Sequence, residues 1–195
     1  MKGNRQYHPM RAVQKGFTLI ELLIVAIMLA ILAAIIVPQF SGTTDGAQEA
    51  ALRSDVAGIR SAIALYRQQH GSYPGEAVSS GGTCTGGTAG TGAVETVAAV
   101  TEQLSLYTNA AGQACTLPVG TNFPFGPYLG QTTLPANPVS GSNVLVIVGA
   151  AAAGAGDLTM GGDGAAGGWK YDVTSGKFIA NDTNTDSMGV PFDSY

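Results

Sequence analysis

One acidic residue, Glu21, stands in an otherwise uncharged apolar run near the start of the chain. The run extends over 21 residues, from Phe17 to Val37, and Glu21 is its only charged side chain. A carboxylate in a membrane costs at least about 2.5 kcal/mol, so Glu21 needs a partner there. Cleavage after Gly16 would supply one, because Phe17 would then carry a free α-amino group one helical turn from Glu21. The same amine on a neighbouring subunit could neutralise the carboxylate where chains pack side by side.

The charge around the run is asymmetric. Four basic residues and no acidic residue precede it: Lys2, Arg5, Arg11 and Lys15. As a helix the run would be about 31 Å long, close to the thickness of a bilayer core. Because basic residues tend to stay on the cytoplasmic side, the asymmetry predicts a single membrane-spanning helix with its N-terminus in the cytoplasm and the remainder outside.

A secretory signal peptide and a plain membrane anchor are the alternatives to cleavage after Gly16. A signal peptide has a shorter apolar core of about 7–15 residues, followed by small residues at the cleavage site. Ala30, Ala33 and Ala34 could serve as such residues, but the run continues past them. A plain membrane anchor would keep its N-terminal segment and would have no use for Glu21.

The N-terminal motif resembles a known signature. Lys15-Gly16-Phe17-Thr18-Leu19-Ile20-Glu21, followed by an apolar run and Pro38, is similar to the type IV prepilin motif of type IV pilins and type II secretion pseudopilins. The resemblance implies that a prepilin peptidase cuts between Gly16 and Phe17 and methylates the new N-terminus at Phe17. It further implies that Glu21 guides assembly into a helical filament.

The resemblance also implies three segments. They are a cleaved leader at 1–16, a transmembrane and assembly segment at 17–40, and a periplasmic pilin-like globular domain at 41–195. Loss of the leader leaves five basic and 13 acidic residues, a net charge of −8. Phosphate binding needs clustered cations, so no nucleic-acid partner is expected.

The expected fold class is α+β, a pilin-like roll with a long N-terminal helix packed on a small antiparallel β-sheet. The helix should run from Phe17 through a kink at Pro38 to about His70. Apolar residues at steps of four and three predict its buried stripe: Leu52, Val56, Ile59, Ile63 and Tyr66. A second helix over 94–108, a buried strand at 144–148, and a hairpin of 169–173 with 177–180 are predicted to follow. The Gly- and Ser-rich segment 79–92 should be a loop that buries almost nothing.

Three arginines, Arg53, Arg60 and Arg67, recur every seven residues beside the stripe. They form either a solvated edge of the helix or a contact with acidic surfaces of neighbouring subunits. The two cysteines, Cys84 and Cys115, lie in the part predicted to be outside the cytoplasm. An oxidising periplasm permits a disulfide between them, and two buried free thiols are the alternative.

Catalytic chemistry finds little support. His70 is the single histidine after the leader, and a histidine at a helix end is expected to cap the helix or face solvent. No ligand spacing typical of zinc is present. Gly162, Gly164 and Gly167 match a dinucleotide-binding pattern by letter, but they precede a predicted strand instead of opening a helix. The chain is therefore not expected to be an enzyme.

Acidic residues cluster in the C-terminal tail. Asp182, Asn184, Asp186 and Asp193 occupy positions 1, 3, 5 and 12 of an EF-hand-like register, although Ser187 replaces the turn glycine. Major pseudopilins have a calcium site in their C-terminal sheet loops, so the resemblance implies calcium as a cofactor. A surface tail rich in Asx turns is the alternative.

The sequence predicts a structural subunit of a type II secretion pseudopilus that helps to export folded proteins. The end of the helix, with Tyr66 followed by Tyr73-Pro74, resembles the major pseudopilin in particular. Expected partners are copies of the chain in a helical filament, minor pseudopilins, the prepilin peptidase and the inner-membrane secretion platform. A type IV pilin for adhesion, motility or DNA uptake is the alternative. A membrane-anchored periplasmic binding module is an alternative of another class.

Overall fold

The computed structural model describes residues 16–120, 122–150, 156, 160–164 and 167–195, without the side chains of 35–43. The chain divides into two compact units, Met1–Thr43 and Thr44–Tyr195. The predicted leader, apart from Gly16, lies outside the described residues. The kink expected at Pro38 falls in the stretch without described side chains.

Helix α1, Leu19–His70, is the longest element of the chain. In the first unit its apolar side chains are exposed, for example Leu19 at 83% and Met28 at 60%. Among the helices of the described residues, none is long and apolar enough to cross a membrane. At its C-terminus, Gly71 adopts φ of +74° and donates its N–H to the Arg67 carbonyl at 2.8 Å. This closure agrees with the expected helix end at His70, because glycine adopts the left-handed conformation without strain.

The core of the second unit forms on the predicted stripe of α1. All five stripe residues are at most 3% exposed: Leu52, Val56, Ile59, Ile63 and Tyr66. They pack with aromatic side chains from the C-terminal strands, above all Trp169, Tyr171 and Phe178. The apolar periodicity of the helix therefore marks the face that is removed from water.

Helix α2, Val97–Ser105, is shorter than the predicted 94–108. It begins late because Glu95 has φ of +60° and Thr96 caps the helix, with its hydroxyl accepting the Ala99 N–H at 3.2 Å. Val97 is 42% exposed, whereas Val100 and Leu104 are buried.

Two small sheets complete the unit. Strands β1, Tyr107–Thr108, and β2, Ala114–Cys115, pair antiparallel. Strand β3, Leu145–Val148, pairs parallel with β4, Trp169–Asp172, and β4 pairs antiparallel with β5, Phe178–Ala180. The tail ends in a short 3-10 helix, Phe192–Ser194.

Two features of the sheets differ from expectation. The β3–β4 pair is parallel, and the 20 residues between the two strands allow a crossover that a tight turn could not make. Strand β3 is an edge strand in which Leu145 is buried and the other three residues are half-buried, so the prediction of a buried strand holds only for Leu145.

The segment 79–92 is a loop, but parts of it are buried. Ser79 is fully buried, and Gly90 donates its N–H to the Ala114 carbonyl at 2.8 Å. A side chain at Gly92 would collide with the backbone of Ala99. The expectation that this loop buries almost nothing was wrong, because glycines allow the loop to approach α2 closely.

Candidate functional site

The N-terminal turn of α1 is a capping box built by Thr18 and Glu21. The Glu21 carboxylate accepts the Thr18 N–H at 2.9 Å and the Thr18 hydroxyl at 2.8 Å. In return, the Thr18 hydroxyl oxygen accepts the Glu21 N–H at 3.3 Å. These bonds satisfy backbone donors that an uncapped helix would leave free. Glu21 thus has a partner within its own chain even before any cleavage.

The predicted cleavage point lies just before this box. Gly16 and Phe17 precede the helix, and Phe17 is 84% exposed. Gly16 is also exposed, and an added Cβ there would meet no described atom within 4 Å. A cut there would place a new amine on the residue that precedes the capping threonine.

The apolar side chains that follow the capping box are exposed along the first unit. Side chains from Phe17 to Leu32 are at least 47% exposed where they are large and apolar. Soluble proteins rarely leave so long an apolar surface open to water, because such surfaces mark contacts with lipid or with other proteins. Glu21 is the one charged group on this surface.

The four predicted calcium ligands do not converge. The Asp182 carboxylate accepts the N–H of Asn184 at 2.8 Å and its side-chain amide at 2.7 Å. Asp186 instead faces Arg53 at 2.7 Å, and Asp193 accepts the Gly162 N–H at 2.7 Å. Within the described residues, no group of three or more acidic, histidine or cysteine side chains is placed to hold a metal ion.

Asp182 and Asn184 do share a polar cavity of about 470 Å³ with Asn181. The Asn181 side-chain amide nitrogen is buried there without a described hydrogen-bond partner. An amide N–H is a donor, and calcium requires oxygen ligands. The cavity brings together only Asp182 and Asn184 of the four predicted ligands, and calcium binding stays a prediction of the sequence.

Asp186 ties the C-terminal tail to α1. Its buried carboxylate accepts bonds from the Arg53 guanidinium and the Tyr195 hydroxyl, the latter at 2.6 Å. The Tyr195 hydrogen bond and the Arg53 charge hold the pKa of Asp186 below its ordinary value. One turn earlier on α1, Glu49 accepts the Ser187 N–H at 2.8 Å. The tail, expected to be a solvated turn or a metal loop, is thus a docked part of the domain.

The other two arginines of the seven-residue series also contact their own domain. Arg60 donates its Nε–H to the Phe178 carbonyl at 2.9 Å, and Arg67 donates to the Tyr73 hydroxyl at 2.5 Å. All three arginines are exposed, as a solvated edge of the helix requires, but each guanidinium also bonds to a residue of its own domain.

Cys84 and Cys115 are joined by a disulfide with a Cα–Cα distance of 5.5 Å. The bridge ties loop 79–92 to β2. On the other side of the loop, Glu102 of α2 accepts the hydroxyls of Ser79 and Thr91 and the N–H of Gly92. Burial opposes ionisation, but these hydrogen bonds lower the pKa of Glu102 below its ordinary value.

His70 is a half-buried member of an aromatic cluster, where a capping or solvated residue was expected. Its ring stacks on Tyr66 with centroids 4.0 Å apart, and its Nε2 lies 3.0 Å from the hydroxyls of both Thr108 and Tyr128. Burial lowers the pKa of His70. No carboxylate or thiol is among these contacts, so the arrangement has no catalytic partner in the described residues.

Sequence reasoning missed the capping role of Thr18 and the roles of Glu102 and Asp186. Thr18-x-x-Glu21 before an apolar run is a visible capping signature, so the first could have been found. Glu102 and Asp186 act through residues far away in sequence, for which no local pattern exists.

A family model, the prokaryotic N-terminal methylation motif, matches residues 11–37 of the chain. Type II secretion system core protein G of Klebsiella michiganensis is 36% identical over 64 residues, which is 33% of this chain and 45% of the relative. The protein of the same name from Pseudomonas aeruginosa is 39% identical over 64 residues, with the same two shares of 33% and 45%. A fimbrial protein of Neisseria meningitidis serogroup B is 45% identical over 74 residues, which is 37% of this chain and 42% of the relative.

The chain spans less than half the length of these relatives. No solved structure matches it. The family motif covers the predicted cleavage point, the capping box and the apolar run. The chain thus has a prepilin-like N-terminal segment with a methylation motif, and about a third of it is similar to type II secretion system core protein G.

Proposed function

We propose that this protein is a structural subunit of a type II secretion pseudopilus, polymerising through its N-terminal helix to drive export of folded proteins. The proposal is supported by the methylation motif at 11–37 and by the relatives named type II secretion system core protein G. The observation that carries it is Glu21, a lone carboxylate at the first turn of an exposed apolar helix, next to the predicted cut.

The subunit would be held in the inner membrane by residues 17–40, with the leader in the cytoplasm and residues 41–195 in the periplasm. The prepilin peptidase would remove residues 1–16 and methylate Phe17. Copies of the chain, minor pseudopilins and the inner-membrane secretion platform are the proposed partners, with the filament in the periplasm or at the cell surface. The role is structural and not catalytic.

A type IV pilin is the second candidate, because the fimbrial protein of Neisseria meningitidis serogroup B is 45% identical over the matched residues. Pilins often carry a disulfide-bounded loop near the C-terminus. Here the bridge between Cys84 and Cys115 precedes strands β3 to β5, which favours the pseudopilin. A membrane-anchored binding module, the third candidate, would form no filament.

The test separates the two roles of Glu21. Glu21→Gln keeps a side chain that can complete a capping box but removes the charge, whereas Thr18→Ala keeps the charge and removes the cap, at a cost of about 1 kcal/mol. We expect Glu21→Gln to insert normally and assemble badly, because the charge that pairs with a neighbour's Phe17 amine is gone. Thr18→Ala should retain most assembly. Filament yield by electron microscopy at equal membrane abundance is the measurement.

Mass spectrometry of the same membrane preparations controls for processing, since each variant should begin at Phe17. Wild-type filament yield from Glu21→Gln would remove the charge of Glu21 from the mechanism. A wild-type chain that is processed but never polymerises would favour the membrane-anchored binding module.

A further inference from the structure

Two flanks of helix α1 in the unit Thr44–Tyr195 carry opposite charges on either side of the buried stripe. At 3.6 residues per turn, Arg60 and Arg67 lie within about 20° of each other around the helix, and Asp55 lies about 120–140° away. The stripe that packs on the core lies between them. Asp55 therefore cannot reach the two arginines of its own chain.

The basic flank borders an open groove. Arg60, Arg67 and Tyr73 line a cavity of about 440 Å³ beside Gly176, in the turn between β4 and β5. Arg60 is bonded to a backbone carbonyl, and the Arg67 guanidinium lies over the Tyr73 ring, 4.3 Å from its centroid. Neither contact supplies a negative charge. Partial burial lowers the pKa of Arg60, which is the expected effect when a cation is desolvated without a counter-ion.

The acidic flank borders a second cavity, of about 290 Å³, where Asp55 lies between α1 and residues 129–135. The ion pairs formed by described residues are Arg53 with Asp186 and Lys170 with Asp163, and none involves Asp55. Burial raises the pKa of Asp55, again as expected for a charge without a counter-ion. The two arginines thus lack a carboxylate partner and Asp55 lacks a cationic one, so each flank could supply the counter-ion of the other.

We propose that, in the filament, Asp55 of one copy of this chain binds the basic flank of the next copy, level with Arg60. The contact joins two different surfaces, so it is heterologous, and such contacts generate rings or open helical filaments instead of two-fold dimers. The inference rests on the proposed polymerisation and specifies the contact between neighbouring globular domains.

The contact sets the stagger of neighbouring globular domains. For parallel helices, bringing Asp55 level with Arg60 of the next copy displaces the copies by five residues, or about 7.5 Å.

Asp45 provides the matched control on the same helix. It is also an acidic side chain of α1 without an ion pair among the described residues. It lies 15 residues before Arg60, so pairing with Arg60 would need a displacement of about 22 Å, about three times the one that the Asp55 contact requires.

The experiment is charge reversal in the full-length chain, with filaments counted by electron microscopy at equal membrane abundance. Asp55→Lys alone, and Arg60→Glu with Arg67→Glu, should each reduce filament number about tenfold, because like charges then face each other. Combining all three substitutions should restore filaments to near the wild-type number. Asp45→Lys combined with the two arginine substitutions should restore nothing.

A second measurement covers loss of folding in the Arg60 variant, whose bond to strand β5 is broken. Chains with Asp55→Cys are co-expressed with chains with Arg67→Cys, and a short bis-maleimide should link them into dimers. Asp45→Cys should give none with the same partner. If the wild-type chain forms filaments, but the combined substitutions do not restore them and Asp55→Cys gives no cross-linked dimers, this contact alone is wrong. A wild-type chain that forms no filaments overturns both this contact and the proposed function.

Discussion

The Asp186 carboxylate has the most complete set of donors in the C-terminal tail. One oxygen accepts the N–H groups of Met188 and Val190, both at 2.8 Å, and the other accepts the Arg53 guanidinium and the Tyr195 hydroxyl. The Tyr195 bond has the largest effect on its lowered pKa. Because all four donors stabilise the ionised form, Asp186 should link the stability of the domain to pH.

We predict that Asp186→Asn lowers the melting temperature at pH 7 and that the difference shrinks in acid. A carboxylate with a depressed pKa stabilises the fold above its unfolded pKa of about 3.9, and the effect is lost as pH falls through the lower folded value. Calorimetry from pH 7 to about pH 3 measures this linkage. Asp45→Asn, which removes an exposed charge outside the described ion pairs, is the control and should show no such trend. An equal deficit at both ends of the range would contradict the linkage.

Local patterns in the sequence predict the roles of single residues well. They do not predict which residues distant in sequence will bond to each other. The glycine after His70 and the spacing of Gly16, Phe17 and Glu21 could be interpreted from neighbouring residues. The bond from Arg53 to Asp186 joins residues 133 apart. Only the packed fold brings them together, so the sequence offered Asp186 as a calcium ligand and gave no sign of its bond to Arg53.

At the scale of elements, helix α1 was predicted almost to the residue because its stripe repeats over many turns. The limits of α2 were not, since they depend on the backbone of Glu95 and the cap at Thr96. The parallel pairing of β3 with β4 was also missed. Strand direction depends on the connection between two strands, which no pattern of side chains within β3 records.

Loop 79–92 is held to the domain by the Cys84–Cys115 bridge and by Glu102. The bridge closes a loop with a sequence separation of 31. Loop-closure entropy for a loop of this length corresponds to about 3.5 kcal/mol. Most of this contribution acts by restricting the unfolded chain.

We predict that replacing both cysteines by alanine lowers the free energy of unfolding by about 3.5 kcal/mol, measured in urea. The slope against urea should rise, because the unfolded chain without the cross-link exposes more surface. Alkylation of wild-type protein from the cell envelope should find no free thiol before reduction. Equal unfolding free energies with and without the bridge would contradict the contribution from loop closure.

At the scale of the molecule, the globular unit Thr44–Tyr195 is closed by its own ends. Near the start of this unit, Glu49 and Arg53 of α1 bind Ser187 and Asp186 of the tail. Phe192 of the final 3-10 helix is buried in the same core. A change in the tail should therefore alter the stability of the whole unit, because the tail shares the core and its hydrogen bonds with α1.

Calcium binding by this tail should affect the stability of the whole unit, because the tail packs against α1 and the core. Calcium takes six to eight oxygen ligands, and Asp182 with Asn184 supplies too few. To recruit Asp186, the ion would have to replace Arg53 and Tyr195 as its partners. Binding should therefore break the bond between the tail and Arg53 of α1 while the tail closes around the metal. We expect the full-length protein in detergent to melt at a higher temperature in calcium than in chelator. At ten times the dissociation constant, the gain would be about 1.4 kcal/mol.

Two variants show which ligands the ion uses. If calcium recruits the four predicted residues, Asp182→Asn and Asp186→Asn should each abolish the gain in melting temperature, and magnesium should have less effect because it demands a tighter octahedron. If Asp182→Asn alone abolishes it, the ion binds beside Asn184 and leaves the bond from Arg53 to Asp186 intact. Identical melting of the wild-type protein in calcium and in chelator would contradict calcium binding. Asp186 would then serve only to hold the tail against α1.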